Sequence, residues 1–310
     1  MPCYHPQLAY RSRKTSKNGK RPLVFNPKEG YTELNLKIPC GNCLGCKLEK
    51  ARQWAVRCYH EAMLHYDNCF ITLTYNDDNL PLNGSLQKRD LQLFMKRLRK
   101  QTNTPNIKFY ASGEYGKNFD RPHYHVCLFG YDFKDKFLKN NKLTYKNFGH
   151  TVKGYKIFRS PLLEKLWTHG FSSVGTLNEK SAGYTARYVL KKIFGKNKEE
   201  HYQGREPEFS LMSRGGTKGR GLSYGWFKKY TTDIYPKDFF TINGKRHKPP
   251  RYYDKLLEET NPDLIKKLKI ERMKKADEEF KKHGLRRLER KEHHKKLTIK
   301  LLKREYEEGE

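Results

Sequence analysis

The 310-residue chain carries 65 Lys and Arg against 34 Asp and Glu, a formal charge of +31 at pH 7, and only 35% of its residues are hydrophobic. No apolar run approaches the roughly 18 residues that identify a membrane-crossing helix, and the first residues lack a signal peptide's basic-then-apolar order, so a cytosolic protein is expected. A chain this positive suits a polyanion, and nucleic acid fits better than a membrane because the sequence offers no anchor.

Residues 1–46 form a Cys-rich segment. The seven cysteines are an odd number, and three of them sit at Cys40, Cys43 and Cys46 with two-residue gaps. That pattern predicts metal ligation in a reducing compartment rather than a disulfide framework. A tetrahedral zinc site needs a fourth ligand, for which Cys3 is the first candidate and His5 the second. An iron-sulfur cluster is the alternative for this thiolate spacing. Cys58, Cys69 and Cys127 lie in apolar stretches and are expected in the core.

Residues 47–200 alternate between helix and strand. Leu48, Ala51, Ala55, Cys58 and Ala62 recur at helical spacing, and the β-rich run 70–75 reads as a strand. Leu91, Phe94, Met95 and Leu98 mark one face of a second helix. Residues 107–114 and 123–129 predict two strands of a hairpin. Ser160 and Pro161 start a short helix that Gly170 is expected to end, residues 171–177 read as a further strand, and 179–194 as a helix closed by Gly195. This order predicts an α+β fold, an antiparallel central sheet flanked by helices, rather than a doubly wound parallel sheet.

Residues 201–255 read as a basic, Gly-rich extension. Arg214, Lys218 and Arg220 alternate with glycines in a loop able to lay cations and N–H groups along phosphates. A hairpin with a type I′ turn at Asn243-Gly244 follows. Residues 256–310 form a charged helical tail. From residue 263 onward it holds 17 basic and 11 acidic side chains, a net of +6, which leaves +25 in the preceding residues.

Two patterns carry chemistry. In a strand alternate side chains share a face, so His123 and His125 project together while Tyr124, Val126 and Leu128 pack on the other side. Glu114, at the end of the preceding strand, would complete a three-ligand site for a hard divalent ion if the two strands form the hairpin. On a helix Tyr184 and Tyr188 lie one turn apart on one face, each with a cation three residues on, Arg187 and Lys191. A phenol with pKa near 10 needs such cations, and a polarised phosphate, to act as a nucleophile at neutral pH.

The strand 70–75, His123-Tyr124-His125 and Tyr184-x3-Tyr188-x2-Lys191 resemble, in order, the three motifs of HUH endonucleases that initiate rolling-circle replication. The paired tyrosines, the cysteine segment and the strand end Ser112-Gly113-Glu114-Tyr115-Gly116 are similar to the replication initiators of gokushovirus-type microviruses, single-stranded DNA phages. The resemblance covers roughly residues 1–255. It implies an HUH/RRM-like palm, Mg²⁺ or Mn²⁺ held by His123, His125 and Glu114, and attack by Tyr184 or Tyr188 on origin single-stranded DNA. A 5′-phosphotyrosine and a free 3′-OH would follow, the latter extended by host replication machinery in the bacterial cytoplasm. Lys191 and Arg187 would steady the phosphate or phenolate, Arg187 standing where related initiators often have Lys. Arg121, Arg214, Lys218 and Arg220 are the expected DNA contacts, and Cys3, Cys40, Cys43 and Cys46 the structural zinc ligands. A non-enzymatic, zinc-stabilised nucleic-acid-binding or packaging protein is the rival reading, and an HUH relaxase or transposase is a third.

Overall fold

The computed structural model describes residues 3–116, 119–138, 156–187, 198–214 and 220–300. The described residues divide into two compact units, one of those up to residue 50 with those from 266 onward, the other of those from 51 to 265.

In the first unit, β1 (Gln7–Ser12), β2 (Leu23–Val24) and β3 (Gly30–Ile38) form an antiparallel sheet in the order β2-β1-β3. These strands fall in the segment read only as Cys-rich. Leu8, Leu23 and Leu34 remain exposed, so no clean alternation of buried and exposed side chains marks them in the sequence.

The helix α1 (Leu44–Ala62) follows the last strand. The second unit is then built on β4 (Asn68–Tyr75), α2 (Lys88–Gln101), β5 (Lys108–Tyr115), β6 (Pro122–Phe129), β7 (Phe137–Leu138), β8 (Ile157–Arg159), α3 (Pro161–Leu166), β9 (Gly170–Thr176), α4 (Glu179–Arg187), α5 (Lys198–Tyr202) and β10 (Phe209–Met212). The strands form one seven-stranded antiparallel sheet in the order β10-β5-β6-β4-β9-β8-β7. The α+β antiparallel architecture expected from the alternation is the one observed. Its edge strand β10 comes from the stretch read as a basic extension.

Alternation along the central strands sends side chains to two helical layers. Ile71, Leu73, Tyr124, Val126, Leu128 and Val174 pack with Leu91, Phe94, Met95 and Leu98 of α2 and with Leu163, Leu166 and Trp167. On the opposite face Phe70, Tyr110, Cys127 and Phe129 pack with Ala51 and Cys58 of α1 and with Ala182, Tyr184 and Ala186 of α4. Cys58, Cys69 and Cys127 are all buried.

Ser160 caps α3 as expected, its hydroxyl accepting from the Leu163 N–H at 3.1 Å. Gly170, however, does not end that helix: α3 stops at Leu166 and Gly170 opens β9 at φ 145°. A Cβ there would lie 2.3 Å from the Asn76 nitrogen and 2.6 Å from the Thr74 carbonyl oxygen, so the close approach of β4 explains the glycine. Residues 188–195 of the fourth expected helix lie outside the described residues.

Beyond the sheet come α6 (Tyr224–Ile234), the hairpin β11 (Phe240–Ile242) and β12 (Lys245–His247), α7 (Arg251–Thr260) and α8 (Pro262–Lys300). The hairpin turn has positive φ at both Asn243 (47°) and Gly244 (75°), as a type I′ turn requires. Trp226 of α6 stacks on His60 of α1 at 3.5 Å between ring centroids, and Tyr253 of α7 lies with its hydroxyl 2.8 Å from His60 Nδ1. The helical reading of the tail holds for α8, which is interrupted at Gly284. Within the first unit its Glu292 meets His5 at 2.8 Å and its Phe280 ring receives Lys37.

Candidate metal centre and nucleophile face

Register places the three donors. Across β5 and β6, Glu114 is the partner of His123 and Ser112 the partner of His125. Across β6 and β4, His125 faces Thr72 and His123 faces Thr74. Directly opposed residues of an antiparallel pair project to one side, so all six lie on the face covered by α1 and α4.

Glu114 is buried, and its Oε1 lies 2.8 Å from His123 Nε2 and 3.1 Å from His125 Nε2. Burial pushes the carboxyl upward in pKa, but hydrogen bonds from the two imidazoles outweigh it and hold the group well below the usual carboxylate range. The remaining ring nitrogens are also tied. His123 Nδ1 is 3.0 Å from the Arg121 carbonyl oxygen and His125 Nδ1 is 3.1 Å from Thr72 Oγ1. These contacts orient both Nε2 atoms toward Glu114.

The His123 arrangement calls for a cation. A carbonyl oxygen only accepts, so Nδ1 carries the proton, and a neutral ring then aims its Nε2 lone pair at a carboxylate oxygen. A proton or a metal ion between the two removes the repulsion. The separations suit a metal: cis donors about 2.05 Å from an octahedral ion are about 2.9 Å apart, between the two observed values. Two imidazoles and a carboxylate suit a six-coordinate ion such as Mn²⁺, with Mg²⁺ the harder alternative.

Tyr184 reaches the same face from α4. Its ring stands edge-on to His125 at 5.2 Å and to Phe70 at 6.4 Å. The side chain is buried. The helix is fixed by Asn178, which accepts from the Ser181 N–H at 2.9 Å, and by Thr185, whose hydroxyl is 3.5 Å from Cys127 Sγ on β6. Arg187 is half-buried at the end of the described helix. Tyr188, Lys191 and Lys218 lie outside the described residues. Arg121 donates to the Tyr75 carbonyl at 3.0 Å and pairs with Asp77, while Arg214 and Arg220 are exposed, Arg220 lying over the Tyr224 ring.

Thr72 and Ser112 lie beside His125 on this face, a placement that the sequence alone assigned to neither. Both occupy the His-facing parity of their strands, but only the cross-strand register reveals it.

In the first unit the sulfurs of Cys3, Cys40, Cys43 and Cys46 all lie within 4.8 Å of one another. Cys3 to Cys40 is 3.7 Å and Cys43 to Cys3 is 3.9 Å. Zinc–thiolate bonds of about 2.3 Å in a tetrahedron put sulfurs about 3.8 Å apart. The N–H groups of Cys40, Tyr4 and Cys43 point at Cys3, Cys43 and Cys40 sulfur respectively, at 3.3, 3.4 and 3.3 Å. Burial raises the Cys3 and Cys46 thiols. At Cys43 burial acts the same way, but backbone donors from Tyr4 and Cys46 overcome it and bring the thiol down to about 6. The donor set fits a thiophilic tetrahedral ion, with Cys3 rather than His5 as the fourth member of the cluster.

Fold and site together define an α+β protein whose antiparallel sheet gathers a His–His–Glu donor set beside a helix-borne tyrosine. A family model described as replication-associated protein ORF2/G2P matches residues 68–193, the stretch from β4 past α4. The chain is 31% identical over 255 residues to replication-associated protein VP4 of Bdellovibrio phage phiMH2K, covering 79% of this chain and 76% of that protein. It is 34% identical over 241 residues to replication-associated protein ORF2 of Spiroplasma virus 4, covering 73% and 69%. With replication-associated protein ORF4 of Chlamydia phage 1 the identity is 29% over 236 residues, covering 74% and 56%. No solved structure matches. The chain belongs to this family of phage replication-associated proteins.

Proposed function

We propose that the protein is a rolling-circle replication initiator, an HUH endonuclease that nicks and rejoins single-stranded DNA at a phage origin through tyrosine attack. The observation that carries the reading is the convergence of Glu114, His123 and His125 on one atom-sized volume with the Tyr184 ring against His125.

Glu114, His123 and His125 would hold Mn²⁺ or Mg²⁺. When bound, that ion polarises the scissile phosphate and offsets the charge that develops on it. The tyrosine hydroxyl, of Tyr184 or of Tyr188, loses its proton and its oxygen attacks phosphorus. The P–O3′ bond breaks, leaving a 5′-phosphotyrosine and a 3′-OH. Arg187 and Lys191 stabilise the phenolate or the phosphate. A later 3′-OH attacks the phosphotyrosine, restores a phosphodiester and releases the tyrosine, so no ATP is consumed. Two tyrosines allow a second cleavage while the first linkage persists. The free 3′-OH serves host replication machinery in the bacterial cytoplasm. Arg121, Arg214, Lys218 and Arg220 grip the strand.

Cys3, Cys40, Cys43 and Cys46 would hold a structural zinc that ties the N-terminal segment to the start of α1. The matched sulfur spacing supports this assignment.

Incubating the protein with a single-stranded origin oligonucleotide and Mn²⁺, then resolving it under denaturing conditions, tests the chemistry. A covalent adduct is expected from wild type and none from the Tyr184→Phe/Tyr188→Phe double variant. Adduct formation by the double variant, or none from wild type with any metal and origin, overturns the tyrosine mechanism.

A further inference from the structure

One row of side chains runs across four strands of the site face. Glu114 on β5 opposes His123 on β6, His123 opposes Thr74 on β4, and Thr74 opposes Phe171 on β9. Opposed residues share a face, so the Phe171 ring belongs to the surface that carries the metal-binding candidates. Two strand spacings separate Phe171 from His123, about 10 Å. The neighbouring row, Ser112, His125, Thr72 and Ser173, is more enclosed: Ser112, His125 and Ser173 are buried. The face therefore opens to solvent along the strands toward the end where Phe171 sits.

Phe171 is 63% exposed, whereas Phe70 on the same face is 5% exposed under α4. A strand phenylalanine directed at solvent contributes little to the core, yet offers a flat apolar ring beside a polar cluster. Arg121 stands at the same end of the sheet. Its guanidinium bonds the carbonyl of Tyr75, whose register partner is Gly170, the residue before Phe171. An exposed ring and a cation at the same end of the sheet as the His–His–Glu cluster are the elements of a single-strand platform: the cation meets backbone phosphate and the ring meets a base.

We infer that Phe171 is a base-stacking residue, holding a nucleobase close to the scissile phosphate that the ion proposed at Glu114, His123 and His125 would polarise. The inference rests on the single-strand-nicking reading and adds a subsite to it. A base on the Phe171 ring fixes where along the strand the scissile phosphate lies. Because every base has a π-face, the subsite sets position more than sequence. A nucleobase fits better than a protein partner because the chain carries +31 and the ring lies in the same row of side chains as the cluster proposed to hold the ion that polarises the scissile phosphate.

Fluorescence anisotropy of a short fluorescein-labelled single strand of mixed sequence tests this, with a strand of the same length made of abasic sites as the comparison. Phe171→Ala is expected to weaken binding of the base-bearing strand at least about fivefold, the lower range for losing one base–aromatic stack, with affinity for the abasic strand unchanged. Phe171→Trp is expected to retain binding. Equal affinity of wild type and Phe171→Ala for the base-bearing strand overturns the inference. So does an equal loss on both strands, which reports a general change in the surface. Adduct formation is read separately: a wild-type protein that stacks bases on Phe171 but forms no adduct with Mn²⁺ removes the nicking reading and leaves the stacking site in place.

Discussion

Glu114 and His123 are register partners across β5 and β6, and the 2.8 Å between Glu114 Oε1 and His123 Nε2 closes the side of a cluster that His125 completes at 3.1 Å. The carboxylate supplies the only negative charge of the three donors. Glu114→Gln is therefore expected to reduce Mn²⁺ affinity, measured by calorimetry, by at least about 100-fold, and adduct formation with it. Thr72→Val removes the partner of His125 Nδ1 but no donor, and a loss of about tenfold is expected. Unchanged Mn²⁺ binding in Glu114→Gln would show that the ion binds elsewhere.

Tyr184 packs on His125 and Phe70 through its ring, which phenylalanine preserves. Tyr184→Phe should therefore melt within about 1 kcal/mol of wild type, a small effect typical of volume-conserving changes. If each tyrosine attacks in turn, each single variant still forms an adduct but fails to complete successive cleavage and joining. Gel analysis of adduct and of circularised product separates the two steps.

The cysteine cluster predicts about one tightly held zinc per chain by elemental analysis. Cys3→Ser and Cys43→Ser are each expected to lower that ratio severalfold and to depress the melting temperature, because structural zinc binding is coupled to folding. The decisive sulfur is Cys3, which lies 37 residues from Cys40 in sequence. Preparations free of both zinc and iron would exclude a metal at this site.

His60 gives a pH dependence with a defined sign. Burial, reinforced by His247, lowers its pKa from 6.5 to about 3. Between these values the unfolded chain binds a proton at this position that the folded chain does not. Stability is therefore retained above about pH 6.5 and falls as pH drops toward 3, by up to about 1.4 kcal/mol per unit from this residue. Chemical denaturation at several pH values measures the slope, and the imidazole resonances should show His60 still neutral at pH 5. A His60 that titrates near 6.5 in the folded protein would contradict the buried stack on Trp226.

Much of the site could be read locally. His123 and His125 share a face because a strand repeats every two residues, and Cys40, Cys43 and Cys46 cluster because two-residue gaps bring sulfurs together at a turn entering a helix. The hairpin of residues 107–129 was legible from its two β-rich runs, and with it the approach of Glu114. Less visible were β10, an edge strand in a basic stretch, and the three strands near the N-terminus with exposed leucines. Gly170 was misread because a glycine after a helix has two explanations, a helix stop or a close backbone approach, and only the neighbouring strand tells them apart.

Periodicity, residue chemistry and composition were enough to give the antiparallel α+β architecture, the candidate donors and the positive charge. Which atoms meet came from the assembled fold: Thr72 behind His125, the Arg121 carbonyl behind His123, Cys3 beside Cys40, and Phe171 in the row that begins at Glu114. Such meetings depend on strand order and register between distant segments. Those are settled by packing of the whole sheet between its helices, and no short window of sequence contains them.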